Sequence, residues 1–431
     1  MIKRTIYDIL KKFGSLRRIV RILMLVFERL VFNLLNIGNR VDEKTVLFEV
    51  FAGKQFSDSP KELYLQLIND PKYDDLKKIW VFTDPNTKAQ LINNLKATTE
   101  TNTKAITSET NTVLIKRGTT AYYRAYGRAK YWIANFREPL GLKRKKEQVY
   151  IQCWHGTPFK KLGHDITSEG ADGEFLNSTK DIFFNYDRDA RRYSAMLSQS
   201  AYTTEKFKSA FDLDRLNKDI EIIEEGYPRN AALFRYADSD IKRIRAELGI
   251  PKDKKVILYA PTFRNDQHRS GVGYSYKLEV DFEKMRQSLG EEYVILFRAH
   301  YFIVESMDLS RYEGFVHDVS NYDDPNDLYI ISDILITDYS SVFFDYSNLK
   351  RPIIFHMYDK EAYRNIKDWY MDLEEIPGPV TETQAQLIEE IKNIEQVKEK
   401  YARKYQLFND KYNYLDDGDT SKRVIARIFE G

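Results

Sequence analysis

One cysteine, Cys153, stands in a chain of 431 residues. No intramolecular disulfide can form, so the fold needs no oxidising compartment and the cytoplasm suits it. An excess of charge is missing too. Against 67 Lys and Arg stand 65 Asp and Glu, a net of +2, which argues against a surface built to hold nucleic acid. There is no GxxxxGK[ST] loop and no GxGxxG after a strand, so ATP and NAD readings lack their motifs. The six histidines are dispersed and cysteine is scarce, which leaves no recognisable zinc site. Asp-x-Asp occurs at Asp187 to Asp189, Asp212 to Asp214, Asp238 to Asp240 and Asp417 to Asp419, as chance allows in so acidic a chain. Neither a catalytic metal nor a cofactor is expected.

Long apolar runs are lacking near the N-terminus. The longest uncharged one, Ile22 to Phe27, falls far short of the roughly 20 residues that span a bilayer. No continuous apolar core leads to a small-residue cleavage site, so the segment is expected to stay on the mature protein. Basic residues are present instead. Between Met1 and Leu35, Lys3, Arg4, Lys11, Lys12, Arg17, Arg18, Arg21 and Arg29 face only Asp8 and Glu28, interleaved with Ile, Leu, Val and Phe. Residues 1–40 therefore read as a basic amphipathic helical segment suited to an anionic membrane surface, or docked on the protein itself.

With 42% hydrophobic residues, the chain is long enough for two domains, each with its own core. From about Thr45, short apolar runs alternate with longer amphipathic stretches, the mark of a βα repeat and a parallel sheet. Strands are predicted at Val46 to Phe51, Ile79 to Thr83, Val113 to Lys116, Tyr131 to Asn135, Val149 to Trp154, Ile182 to Asn185 and Ile220 to Glu224. Ala97 to Asn111 reads as a solvated loop. A turn-prone stretch, Gly226 to Asn230, makes a hinge. Strands then resume at Val256 to Ala260, Tyr293 to Arg298, Phe315 to Asp318, Ile334 to Thr337 and Pro352 to Phe355, with helices among them at Ser239 to Leu248, Phe282 to Leu289, Asn326 to Ile331 and Val342 to Asn348. The pattern implies an α/β protein of GT-B type: Rossmann-like units over 41–228 and 229–431 that face a cleft. Ligands of open parallel sheets sit beyond the carboxyl ends of the strands, so functional residues should follow strands.

Four clusters do. Cys153 to Lys161 (CWHGTPFKK) offers His155, poised to accept a proton near neutral pH, Gly156 for close backbone approach, Thr157, and the cations Lys160 and Lys161. A turn whose histidine merely bonds backbone is the bland alternative. Arg298 and His300 flank Ala299 and share a face in extended chain, fit for one phosphate or for a surface ion pair. Asp338, Ser340 and Ser341 precede an apolar helix, where hydroxyls and free N–H groups suit a pyrophosphate, or simply cap the helix. Arg264, in Tyr259 to Arg264, opens a polar loop at a strand end, as a phosphate ligand or a solvated arginine.

Together, WHGTPFKKLGHD, YAPTFR, FRAH, the stretch from Tyr322 through ITDYSSVFFDY to RPIIFHMYD, and DGDTSKRV at Asp417 to Val424 resemble the CDP-glycerol glycerophosphotransferase family of teichoic acid polymerases and primases. The resemblance runs from about Val149 to the end. It implies a GT-B fold, peripheral attachment at the cytoplasmic face of the cell membrane, and a CDP-alditol donor. His155 and His300 match the family's two essential histidines; Ser340 and Ser341 match the serine pair near the donor pyrophosphate, with Asp338 and Arg264 lining it. The implied reaction moves glycerol phosphate from CDP-glycerol to a hydroxyl of a lipid-linked polyanionic acceptor, with His155 as base, Arg298 and His300 offsetting charge, and CMP leaving. The two histidine roles are interchangeable at this stage. Ahead of the motifs the chain is short compared with the large polymerases, so addition of one unit and polymerisation both stay open, as do CDP-ribitol, a capsule polymer and homo-oligomerisation. An ordinary GT-B glycosyltransferase using a nucleotide sugar is the alternative of another class.

Overall fold

A computed structural model describes residues 14–94, 111–167, 179–262, 268–269, 273–274, 280–299, 308–361 and 369–430. Arg264 and His300, the loop 97–110 and the first thirteen residues of the basic segment lie outside them.

Seven parallel strands form the first sheet: β1 (Asp42–Glu49), β2 (Lys77–Phe82), β3 (Thr112–Lys116), β4 (Ala129–Ala134), β5 (Val149–Gln152), β6 (Ala195–Ser198) and β7 (Glu221–Glu224), in the order β3-β2-β1-β4-β5-β6-β7. The second sheet is built from β8 (Lys255–Ala260), β11 (Tyr293–Phe297), β12 (Val316–Asp318), β13 (Ile334–Thr337), β14 (Ile353–His356) and β15 (Val380–Thr381), ordered β12-β11-β8-β13-β14-β15 and again parallel. A two-stranded antiparallel ribbon, β9 (His268–Arg269) with β10 (Gly273–Tyr274), falls within the polar loop after β8.

Near-continuous apolar runs suit strands covered on both faces. Side chains of alternate residues go to opposite sides. Val46 and Phe48 of β1 join Trp80 and Phe82 of β2 in one core, while Leu47, Ile79 and Val81 enter the core on the other face. In the second sheet Val256 and Leu258 divide in the same way from Ile257 and Tyr259. This is the GT-B arrangement expected from the alternation.

The helices that position the site are α1 (Gly14–Leu35), α2 (Asp58–Asn69), α3 (Thr120–Arg128), α4 (Thr179–Ala190), α5 (Pro325–Ile331), α6 (Val342–Tyr346), α7 (Ile394–Tyr412) and α8 (Thr420–Glu430). Residues Ile182 to Asn185, predicted as a strand, lie inside α4, and the strand of that unit is β6. Ile182-Phe183-Phe184 is too short for its periodicity to separate the two, and the acidic and basic residues around it complete a helical face. The chain does not stay in its second unit either. Val424 and Ile425 of α8 are buried in the core of the first sheet, and Phe429 packs on Tyr131 at 4.5 Å. Amphipathicity alone cannot say which lobe a terminal helix returns to.

Helix α1 docks through one face. Phe32 is buried, Arg29 donates to the carbonyls of Gly141 (2.7 Å) and Leu140 (2.9 Å), and Glu28 accepts from Gly141 N (3.0 Å). Its other face carries Leu23, Phe27, Leu30 and Leu34, all at least 61% exposed, at the i, i+4, i+7, i+11 spacing of one stripe. Among the described residues no helix is long and apolar enough to cross a membrane.

Candidate active site

In each sheet the chain first builds strands to one side and then crosses to the other, which leaves a switch point between β1 and β4 and another between β8 and β13. Crevices at such points are where ligands bind. Loops that follow β5 and β13 meet across the cleft. Gly156, after β5, approaches the other lobe so closely that a Cβ on it would lie 2.6 Å from Ser341 Oγ. Three residues on, Phe159 leaves its own lobe and enters the second lobe's core, with its ring 5.4 Å from that of Phe343. Tyr370 N donates to Phe159 O (2.8 Å), and Lys160 forms a β-bridge with Trp369. The WHGTPFKK loop is thus a strap between lobes.

His155 opens to solvent on the cleft wall. Trp154 stacks on it at 4.7 Å, and Phe51 and Phe136 stand at 5.7 and 5.9 Å. Nδ1 lies 2.8 Å from the carbonyl oxygen of Asn135. A carbonyl can only accept, so Nδ1 carries the hydrogen and Nε2 holds the lone pair. The crowded surroundings lower the imidazole pKa through desolvation, an effect that the Asn135 bond and Asp58 oppose and Arg229 and Arg137 reinforce. The lowered pKa favours the neutral ring, which can take a proton at Nε2.

On the opposite wall Asp338, 1% exposed, accepts from Thr262 N (2.7 Å) and Tyr339 N (2.6 Å), tying the end of β8 to the end of β13. Ser340 Oγ accepts weakly from Val342 N at 3.5 Å. Ser341 makes no side-chain cap to α6, and its half-buried hydroxyl faces Gly156. The capping alternative for Ser341 is not what the structure contains.

Two other expected contacts are committed elsewhere. Thr157 is 2% exposed with its hydroxyl donated to Gln199, so it supports the loop from behind. Arg298 donates through Nη1 to the carbonyls of Val319 (3.0 Å) and Tyr322 (2.9 Å), which binds its guanidinium to the loop after β12. Lys160 and Lys161 are half-buried beside the strap. Each Asp-x-Asp stretch has at least one acid engaged: Asp187 with His164 and Asp189 with Arg137, Asp212 with Arg215, Asp240 with the main-chain N–H of Ala237, and Asp417 with Arg423.

Sequence reading missed the residues that support His155. Asn135, Asp58, Arg229, Asp345, Gln199 and Asp416 are all buried polar groups. Asp416 accepts from Tyr227 N (2.8 Å), Asn230 (2.7 Å) and Asn348 (3.1 Å), and burial pushes its carboxyl up to about 6 against those bonds. A signal existed for Asp345, since a lone acid within Val342-Phe343-Phe344-Asp345-Tyr346 sits where burial demands a partner.

Gly163, at the end of the strap, has φ +48°, and a Cβ there would fall 2.1 Å from Ala210 O. Gly163→Ala is expected to cost at least about 2 kcal/mol, because neither the backbone angle nor the neighbouring carbonyl can yield cheaply. Chemical unfolding of the purified variant checks this; a midpoint equal to the parent's would refute it.

The family model for CDP-Glycerol:Poly(glycerophosphate) glycerophosphotransferase matches residues 31–430. The "Teichoic acid poly(glycerol phosphate) polymerase" of Staphylococcus epidermidis is 39% identical over 401 residues, 92% of this chain but 52% of that protein. This chain thus spans about half of that relative's length. A "Teichoic acid glycerol-phosphate transferase" of Staphylococcus aureus is 36% identical over 94% of this chain and 98% of its own. The solved structure of the wall teichoic acid polymerase TagF superposes with a TM-score of 0.81 at 36% identity, covering 98% of each chain; a histidine variant of the same protein was solved after a soak with CDPG. On a family match over residues 31–430, with relatives and a solved structure that align over nearly the whole chain, the chain belongs to the CDP-glycerol:poly(glycerophosphate) glycerophosphotransferase family.

Proposed function

We propose that this chain transfers glycerol phosphate from CDP-glycerol to a hydroxyl of a lipid-linked, teichoic-acid-like polyanion. The observation that carries the reading is His155: its Nδ1 is pinned on Asn135 O, so Nε2 is the free base, on the wall that meets Ser341 of the other lobe. The acceptor oxygen attacks the glycerol-bearing phosphorus as its proton passes to Nε2. The bond from that phosphorus to the bridging oxygen breaks, and CMP leaves with that oxygen. Such transfers depend chiefly on positioning and charge stabilisation. Ser340 and Ser341 hold the pyrophosphate, with Asp338 fixing their loop. Arg264 and His300, which follow β8 and β11 in sequence, complete the donor side. Arg298 shapes it through the loop it holds. Gly156, Lys160 and Lys161 face acceptor or phosphate.

The test compares nucleotide release from CDP-glycerol, CDP-ribitol and a UDP-sugar in the presence of a lipid-linked glycerol-phosphate acceptor. Acceptor-dependent CMP release, faster with CDP-glycerol, is expected. Release from CDP-ribitol alone would transfer the proposal to ribitol phosphate, and UDP release alone would overturn it.

The same reading places the enzyme at an anionic membrane surface on the cytoplasmic face, through the exposed stripe of α1. Burying a large apolar side chain contributes about 1.5–3 kcal/mol, and tenfold in partitioning needs about 1.4 kcal/mol. Leu23→Ser/Phe27→Ser/Leu30→Ser should therefore lower cosedimentation with anionic vesicles at least about tenfold, since even half-immersion of three such side chains exceeds that figure. The docking residues Phe32, Arg29 and Glu28 stay intact, so thermal stability should hold. Unchanged vesicle binding would remove α1 as the anchor.

A further inference from the structure

Behind the cleft a buried polar chain joins the two switch points. Asp345 lies on α6, directly after Ser340 and Ser341, and its Oδ1 accepts from Arg229 Nε (3.1 Å) and Nη2 (2.9 Å). Arg229, 4% exposed, stands on the turn Pro228–Ala231 between the sheets, with its guanidinium 4.1 Å from the Tyr227 ring centroid. Its Nη1 comes within 3.5 Å of Asp58 Oδ1 at the start of α2. Asp58 Oδ2 accepts from Asn135 Nδ2 (2.8 Å). Asn135 then serves two loops: its Oδ1 accepts from Phe51 N (3.0 Å), and its main-chain oxygen receives His155 Nδ1–H.

The backbone around this chain is strained. Seven described non-glycine residues have positive φ, and four of them, Phe51, Ala52, Asp58 and Trp154, lie on two connections beside His155, the one from β1 to the start of α2 and the one after β5. Residues held in such conformations persist only where their surroundings over-determine them, and they gather where geometry matters to function. Asn135 and Asp58 supply that constraint here. A purely structural ion pair would have no need to end on the carbonyl that fixes the histidine's tautomer.

We propose that Asp58, Arg229 and Asp345 form a positioning relay that holds Asn135, and through it the aim and tautomer of His155, in register with the Ser340–Ser341 loop of the other lobe. The inference rests on His155 being the base. None of the three touches substrate. Arg229 works as the central link because its planar fork hydrogen-bonds Asp345 while its charge, 3.5 Å from Asp58 Oδ1, faces the second acid.

Full-length protein carrying Asp58→Asn, and separately Arg229→Lys, tests the relay through kcat, donor KM and the pH dependence of kcat/KM, with His155→Gln alongside. Misplacing a base should lower kcat roughly 10- to 100-fold while donor KM moves little. The charged groups facing His155 are Asp58, Arg229 and Arg137. Asp58 is the one that favours the imidazolium, so removing its charge lowers the imidazole pKa further. The base then stays neutral to lower pH, and the acid limb of kcat/KM shifts downward in Asp58→Asn. In Arg229→Lys, charge is kept and geometry lost: kcat falls and the limb stays in place. Wild-type kcat in Arg229→Lys, or a loss confined to thermal stability or to donor KM, overturns the relay; should Asp58→Asn fail to fold, Arg229→Lys alone decides it. If His155→Gln keeps activity, the base assignment fails instead, and that outcome is separate from wild-type behaviour of the relay variants with an inactive His155→Gln.

Discussion

His155→Ala should lower acceptor-dependent CMP release by about 10²–10⁴-fold, the range that a positioned general base contributes. The ring stands exposed on the cleft wall, so its removal leaves no buried cavity and no orphaned charge. Asn135 O loses a donor but can take one from water. Ser341, Ser340 and Asp338 lie on the other lobe and are untouched, so donor KM should change little while kcat falls. That split separates a lost base from a damaged donor site. The acid limb of the wild-type profile should lie below the ordinary histidine range, because desolvation depresses the group that must be neutral to act. A His155→Ala enzyme within threefold of the parent would exclude the residue from the chemistry.

Arg229→Met should cost about 3–5 kcal/mol of stability, the largest effect expected of any single substitution outside the sheets' cores. Burial alone would lower the arginine's pKa; Asp345 and then Asp58 outweigh it and hold the side chain charged. Removing the cation leaves two acids, at 7% and 8% exposure, buried together with no compensating charge between them. The cost therefore lies in the partners left behind more than in the bond lost. It follows that Asp58→Asn and Asp345→Asn, added to Arg229→Met, should restore part of the loss. Chemical unfolding of the single and triple variants measures both. A single variant as stable as the parent would mean the three charges are not coupled.

How far the sequence discloses this molecule follows the range of the interactions involved. Strands β8, β11 and β13 are legible because each is a short apolar run, and His155, Asp338 and Ser341 are legible because they follow such runs, where ligands of parallel sheets gather. The ribbon β9–β10 and the two-residue strand β15 carry too few residues for any period to register. Ile182 to Asn185 fails for the reason already given, a brief apolar run that suits either state. The supporting residues are hidden by distance along the chain: Arg229 meets Asp345 across 116 residues, and Asn135 meets Asp58 across 77. Nothing local marks such a pair. Arg229 reads as part of a turn, which it is, and only the fold shows that the turn places a cation between two acids. Lys143, Arg144, Lys145 and Lys146 illustrate the converse. That run suggests a guide for a polyanion, yet Arg144 donates to the carbonyls of Arg192 and Gln148, and Lys145 to that of Asn39.

Closure of the cleft gives the site its shape. Lys61 of the first lobe pairs with Asp324 of the second at 2.5 Å, and Lys88 pairs with Asp323 at the same distance. With the strap of residues 155–160 and the returning helix α8, these contacts hold the two switch points face to face. On the proposed reading, the hydroxyl acceptor enters from the His155 side and the donor pyrophosphate from the Ser341 side.

The central claim is tested most directly by mass spectrometry of the acceptor. Purified protein is incubated with CDP-glycerol and a lipid-linked glycerol-phosphate acceptor, and CMP is quantified in parallel. Acceptor masses are expected to rise by whole glycerol-phosphate units, with one CMP released per unit added. An acceptor that stays unchanged with CDP-glycerol, while gaining a sugar from a nucleotide-sugar donor, would contradict it.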